Sequence, residues 1–245
     1  MQEYRKTEHK LIKLQTVDST HLLALRLLDA NAITEDVTIT AKTQTSGIGR
    51  CGRVWNSKNN NLFMSEIKKI PNGNSSLSLI VACALYEVLS EILSSDDGRL
   101  TIHWPNDIHY DDKKLSGILI SSINEWFVIS IGVNIFSIPE LSTAISLREI
   151  HSGFNMDVIK LLHKIEDSID KWLMVNFSYV KDYWIKHAKN IGQSITIKNG
   201  TDSLSGIFNG IDDTGRLMLA IEGKVICISS GDLFENMDKI MVKMV

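Results

Sequence analysis

Residues 77–93 place apolar side chains at i, i+4 spacing (Leu77, Val81, Leu85, Leu89), with more on neighbouring faces, which predicts a scaffold helix buried on several sides. Ser75 or Ser76 can cap it. A second helical pattern covers residues 21–30, behind Asp18-Ser19-Thr20, whose side chains suit an N-cap. Elsewhere the pattern is β-like in short runs over 37–41, 62–67, 100–104, 117–123 and 126–134. The last two, separated by Asn124-Glu125, predict a hairpin. Helices mixed with hairpin-linked strands, without strict βαβ alternation, predict an α+β fold. A long helical stretch follows over 157–188, with Ile159, Leu162, Ile165, Ile169, Trp172 and Leu173 on one stripe. Near residue 190 the character changes to short alternating runs over 194–198, 203–211, 217–221 and 225–229, divided by Asn199-Gly200, Asp213-Thr214-Gly215 and Glu222-Gly223. That predicts a small all-β module of about 50 residues, the scale of a five-strand barrel.

Composition narrows the classes. The 245 residues suffice for one large domain or a large and a small one. The apolar run at 77–93 is interrupted by Ser78, Glu87, Ser90 and Glu91, so no membrane span is expected. The first ten residues are charged, with no apolar signal core after them. A net charge of −3 argues against a general nucleic-acid-binding surface. The cysteines, Cys51, Cys83 and Cys227, are odd in number and show no C-x-x-C pairing, which fits a reducing compartment and neither a disulfide framework nor a zinc site. A cytoplasmic protein is expected.

The densest chemistry lies in Ser46-Gly47-Ile48-Gly49-Arg50-Cys51-Gly52-Arg53-Val54-Trp55. Glycine lets backbone N–H groups approach an anion, arginine supplies planar donors for phosphate or carboxylate, and tryptophan offers a face to a heterocycle. Such a loop suits a phosphate carried beside an aromatic ring, as in a nucleotide. Gly47-x-Gly49-x-x-Gly52 also fits the dinucleotide template G-x-G-x-x-G, but that template requires a helix opening at its last glycine. Residues 55–61 are instead a polar run rich in turn formers, followed by another β-like segment. A surface glycine loop is the plain alternative.

A second constellation is His103-Trp104-Pro105-Asn106-Asp107, where Pro105 forces Trp104 out of helix and leaves Asn106 and Asp107 at a strand end. After Tyr110-Asp111-Asp112 comes Lys113-Lys114-Leu115-Ser116-Gly117-Ile118-Leu119, leading into a strand, where a rigidly placed lysine is a good point charge for an anion. The plain alternative is a solvated charged turn. Together the two constellations resemble the biotin protein ligase family, whose members carry a Gly-Arg-rich loop ending in Trp, then Lys-Trp-Pro-Asn-Asp, then Lys-Leu-(small)-Gly-Ile-Leu. Asp18-Ser19-Thr20 and Gly132-Val133-Asn134 match further elements, and the terminal β-module resembles the family's SH3-like barrel.

The resemblance implies a mixed-sheet catalytic domain of the biotin/lipoate ligase type over residues 1–189 and an SH3-like β-barrel over 190–245. It implies a two-step reaction. The biotin carboxylate attacks the α-phosphate of ATP, giving biotinyl-5′-AMP and pyrophosphate, and a lysine of an acceptor protein then takes the biotinyl group. In such ligases Arg50, Lys114 and Asp107 would be catalytic. Ser19, Thr20, Gln44, Gly47, Ile48 and Gly117, with Arg50 and Lys114, would surround biotin; Arg53, Trp55, Asn106 and Asn134 would hold ATP and the adenylate. Mg²⁺ is expected on the ATP phosphates, with no protein metal motif, and a biotin carboxyl carrier protein of acetyl-CoA carboxylase is the expected acceptor. Departures from the pattern are Ile48 where Arg is frequent, His103 where Lys is usual, and His21 where Asn is frequent.

Too little chain precedes Ser19 for a helix-turn-helix module, so the short form of the family, without a DNA-binding role, is expected. A homodimer is conceivable through edge strands of the hairpin 117–134. The competing readings are a lipoate-type protein ligase and a non-catalytic sensor of biotin or its adenylate.

Overall fold

The computed structural model describes residues 10–56, 60–71, 76–94, 98–136 and 143–235. The chain divides into two compact units, one of residues 1–74 and 109–167, the other of 75–108 and 168–245. In chain order the first elements are β1 (Lys10–Val17), α1 (Thr20–Asp29), β2 (Val37–Gln44), β3 (Leu62–Lys69), α2 (Leu77–Leu93) and β4 (Leu100–His103). They continue with β5 (Asp107–Tyr110), β6 (Lys113–Ile123), β7 (Trp126–Val133), α3 (Leu147–Ile150), α4 (Val158–Leu173) and α5 (Phe177–His187). The chain ends in β8 (Ser194–Asn199), β9 (Asp202–Ile211), β10 (Leu217–Ile221), β11 (Lys224–Ile228) and β12 (Asp232–Glu235).

Two sheets result. The seven-stranded one has the order β1-β2-β3-β7-β6-β5-β4, and the five-stranded one β11-β10-β9-β8-β12. The first is mixed: β1 and β2 are parallel, while β2–β3, β3–β7 and β6–β7 are antiparallel. The α+β class expected from the sequence is the observed one.

In the first unit, α1 lays Ala24 and Leu28 on Val37, Ile39, Ile67 and Val128 of the sheet. Thr38, which alternation turns to the opposite face of β2, donates to Glu166 of α4. The central strands are therefore covered on both sides, which is why 37–41 and 62–67 are buried throughout rather than alternating. The hairpin expected at Asn124-Glu125 is present, with Ile123 paired to Trp126 and Asn124 in the left-handed region at φ 56°. In the strand order β7 lies between β3 and β6, and β6 lies between β7 and the four-residue β5; the ends of the order are β1 and β4.

In the second unit, α2 is buried on nearly all sides, as its apolar pattern requires. Ser76 occupies its N-cap position but does not cap through its side chain; Oγ donates instead to the Thr214 carbonyl at 2.9 Å, and Ser75 lies outside the described residues. The helix packs on α5, where Tyr86 meets Tyr183 edge-on at 6.1 Å, and Trp184 of α5 meets Phe208 of β9 at 6.4 Å. Between β10 and β11, Glu222 and Gly223 both take positive φ, 49° and 78°, the two-residue turn whose twist suits a hairpin.

The continuous helix expected over 157–188 is divided. α4 ends at Leu173, and Asn176 starts α5 by accepting a hydrogen bond from Ser178 N at 2.9 Å. The apolar stripe named above itself ends at Leu173, where α4 stops. β1, β5 and β12 are strands the sequence pattern did not single out.

Candidate active site

β1 and β2 run parallel and end side by side, with Val17 paired to Gln44. At that edge the chain turns into α1, and Ser19 is the N-cap, accepting from Leu22 N at 3.4 Å. Asp18 braces the turn by pairing with Arg26 at 2.6 Å and accepting from Ser19 N at 2.8 Å. The Arg26 guanidinium and that amide hold the Asp18 carboxyl down at about 2. Thr20 sends both its backbone N–H and its hydroxyl to Gln44 Oε1, at 2.8 and 3.1 Å. Ser19 and Thr20 are buried.

The glycine–arginine loop starts from this turn, since Ser46 N donates to the Asp18 carbonyl at 2.8 Å. It folds as a small hairpin: Ile48 bridges Val54, Gly49 N donates to the Arg53 carbonyl at 2.7 Å, and Trp55 N donates to the Gly47 carbonyl at 2.9 Å. A short 3-10 turn, Arg50–Gly52, forms the tip, with Cys51 and Gly52 at φ 54° and 70°. No helix opens at Gly52, which removes the dinucleotide reading. Gly47 is buried, Ile48 and Arg50 are half-buried, and Arg53 is exposed.

The hairpin delivers Trp55 onto the sheet. Gly117 and Gly132 are paired across β6 and β7, and the indole rests on both. A Cβ at Gly132 would lie 2.5 Å from Trp55 Cζ2, and one at Gly117 would lie 3.0 Å from Cζ3 and 3.1 Å from Lys114 Cε. Only glycine leaves room for this approach. The Lys114 ammonium stands 5.5 Å from the Trp55 ring centre, within cation–π range. Its backbone is fixed: Lys114 N donates to the Thr143 carbonyl at 2.8 Å, and its own carbonyl accepts from Ile145 N at 3.0 Å and Asn134 Nδ2 at 3.2 Å. Asn134 is buried, and one N–H of its amide goes to the Lys114 carbonyl.

The expected site residues thus fall into groups. Ser19, Thr20 and Gln44 meet at the root of the loop carrying Gly47, Ile48, Arg50 and Arg53, while Trp55, Lys114, Gly117 and Asn134 meet on the sheet. Asn106, buried, and Asp107, half-buried, follow the cis Trp104–Pro105 bond at the start of β5, in the other unit. Among the described residues no cluster of three or more His, Cys, Asp or Glu side chains could hold a metal ion.

Sequence reasoning missed the layer behind Thr20. Ser65 Oγ donates to Thr20 Oγ1 at 2.9 Å and lies 2.7 Å from Ser130 Oγ, which lies 2.7 Å from His21 Nδ1; His21 Nε2 is 2.9 Å from Ser121 Oγ. Burial lowers the His21 pKa from 6.5 to about 4. The available signal was a serine in each of two otherwise apolar strand segments, Met64-Ser65 and Ile129-Ser130-Ile131.

The model of the Biotin/lipoate A/B protein ligase family matches residues 12–135, and this chain belongs to that family. A second model, Biotin protein ligase C terminal domain, matches residues 191–234. Among its relatives, the biotin--[acetyl-CoA-carboxylase] ligase of Paracoccus denitrificans is 29% identical over 226 residues, covering 84% of this chain and 92% of that protein. The enzyme of the same name from Mycobacterium tuberculosis is 26% identical over 226 residues, covering 88% and 85%. The solved structure of the Aquifex aeolicus biotin protein ligase in complex with biotin and ATP superposes with a TM-score of 0.79 at 28% identity, covering 92% of this chain and 97% of that one.

Proposed function

We propose that this chain is an ATP-dependent biotin protein ligase that makes biotinyl-5′-AMP and transfers biotin to a lysine of a biotin carboxyl carrier protein of acetyl-CoA carboxylase. The observation that carries this reading is the Lys114 ammonium 5.5 Å from the centre of the Trp55 ring, whose indole rests on the paired Gly117 and Gly132. The first step brings two anions together, so cations must stand where they meet. Lys114 and Arg50 offset the charge of the biotin carboxylate and the α-phosphate as the carboxylate oxygen bonds to phosphorus and pyrophosphate departs.

Ser19, Thr20, Gln44 and the backbone at Gly47 and Ile48 receive the ureido head, and Gly117 underlies the rest of the molecule. Arg53, Trp55, Asn106 and Asn134 serve the nucleotide. In the second step the acceptor lysine's nitrogen attacks the acyl carbon and AMP leaves; Asp107 takes the amine's proton. Mg²⁺ bound to the ATP phosphates would supply charge neutralisation there, beside the cations of Arg50 and Lys114. Residues 1–189 form the catalytic domain and 190–245 the barrel. The cytoplasm is the proposed compartment: Cys51, Cys83 and Cys227 are all free thiols. Among the described residues no helix is long and apolar enough to cross a membrane.

The relatives' names favour biotin over lipoate. Incubation with ATP, Mg²⁺ and biotin, followed by mass detection, should yield biotinyl-AMP and a carrier lysine labelled once. Lipoyl-AMP formed in preference would overturn the substrate. Biotin binding without ATP–pyrophosphate exchange would make the chain a sensor.

A further inference from the structure

Two hydrogen bonds join Thr20 to Gln44 and four more run inward from them, and the proton on each can be traced. The Thr20 backbone N–H can only donate, so the Gln44 atom 2.8 Å from it is the amide oxygen. That oxygen carries no proton, so the Thr20 hydroxyl, 3.1 Å away, must donate to it as well. A hydroxyl has one proton. With Thr20's spent on Gln44, the 2.9 Å contact to Ser65 is a donation from Ser65, and the 2.7 Å contact between Ser65 and Ser130 is then a donation from Ser130. Ser130 has nothing left to give His21, so Nδ1, 2.7 Å away, is the N–H. A neutral ring then has a bare Nε2, which accepts from the Ser121 hydroxyl at 2.9 Å. The ring is 3% exposed, and burial depresses its proton affinity, which agrees with the neutral form. The other neutral tautomer would leave one buried oxygen pair with no proton between its members.

We propose that His21 is a positioning residue: as the Nδ1–H tautomer it heads a one-way chain of protons that commits the Thr20 hydroxyl to Gln44 and so presents the Thr20 oxygen to an N–H of the ligand. This rests on the reading of Thr20 and Gln44 as ligand-binding groups. A cyclic urea carries such an N–H, and a dithiolane ring does not. His21 thereby contributes to the choice between the two substrates the family is named for, without touching either.

Nitrogen-15 NMR of the wild-type imidazole tests the chain with no ligand present. Protonated Nδ1 and bare Nε2 at neutral pH are expected; an Nε2–H tautomer or an imidazolium would overturn the proposal. The consequence for binding is read by calorimetry with biotin alone. His21→Leu, which cannot donate to Ser130, should weaken biotin by about tenfold, the worth of one hydrogen bond. His21→Asn, whose amide nitrogen can take the Nδ1 position, should recover to within about threefold. KM for ATP should be unchanged in both. A fall in melting temperature with biotin affinity within about twofold of wild type would make His21 structural only. If His21→Leu does not fold, Ser130→Ala breaks the same chain one link further on and carries the same expectation. Wild type that binds no biotin would refute the proposed function while leaving the NMR result to judge the chain.

Discussion

Replacing Gly132 with alanine perturbs the contact between loop and sheet in a way that can be sized beforehand. Gly132 does not adopt positive φ, so alanine meets no backbone strain, and the whole effect comes from its methyl group. That methyl would lie 2.5, 2.6 and 2.9 Å from three atoms of the Trp55 indole. Carbon atoms settle at ~3.5–4.0 Å, so the ring must retreat by about 1 Å or leave. Retreat by overpacking costs ~1–3 kcal/mol.

Expulsion sets the ceiling, because the variant loses no more than the docked ring contributes. A half-buried indole hides roughly 100 Å², worth ~2.5 kcal/mol, and the Lys114 contact adds ~0.5–1. Gly132→Ala should therefore destabilise by ~1–3 kcal/mol in urea unfolding, with a smaller effect the more readily the hairpin lifts. In a Trp55→Ala background the same substitution should cost less than ~0.5 kcal/mol, because the obstructed ring is gone. Additive losses in the double-mutant cycle would refute the placement of Trp55 over Gly132.

Arg50→Ala and Lys114→Ala should each slow ATP–pyrophosphate exchange by on the order of 10²-fold if each offsets charge developing at phosphorus; a rate within about twofold of wild type removes that residue from the mechanism. His21 makes stability depend on pH. The unfolded ring takes a proton below 6.5 and the folded one only near 4, so the contribution is intact above 6.5 and erodes as pH falls between those values, by ~3 kcal/mol in all. Urea unfolding at pH 7.5 and 5 should show His21→Asn losing less than wild type, and equal losses would reject the burial of a neutral ring. Burial alone would raise the Glu87 pKa, but bonds from Lys171, Trp172 and Ser168 hold it low. Glu87→Ala strands the Trp172 donor, while Ser168 keeps the Ala84 carbonyl at 3.1 Å, and should cost about 1–2 kcal/mol; a loss under ~0.5 kcal/mol would mean the Trp172 bond is replaced by water.

Much of the proposed site is legible in the sequence because its chemistry is carried by residue types that are conspicuous locally. Gly47, Arg50, Arg53 and Trp55 fall within ten residues, and Lys114 and Gly117 share a strand. The layer behind Thr20 was not legible, because His21 meets Ser130 across 109 positions and each serine, taken alone, is an ordinary strand residue. Likewise β1 was missed: its half-buried residues, Leu11, Ile12, Leu14 and Val17, do not alternate, and Lys10 and Lys13 dilute its apolar signal. The break between α4 and α5 was hidden because the caps of two helices with similar apolar faces occupy only residues 174–176. Gly132 shows the reverse case: the residue is plain in the sequence, but the ring that requires it comes from a loop elsewhere in the chain.

The second unit is assembled from two stretches far apart in sequence, 75–108 and 168–245. The start of α2 is fastened to the turn at Thr214, and Gly215 sits against Leu79, so these links join the long internal helix to the carboxy-terminal strands. Cutting the gene at residue 190 would therefore strip cover from α2 instead of releasing an independent appendage. Chimaeras that exchange the terminal strands between relatives should stay soluble only when residues 75–108 travel with them.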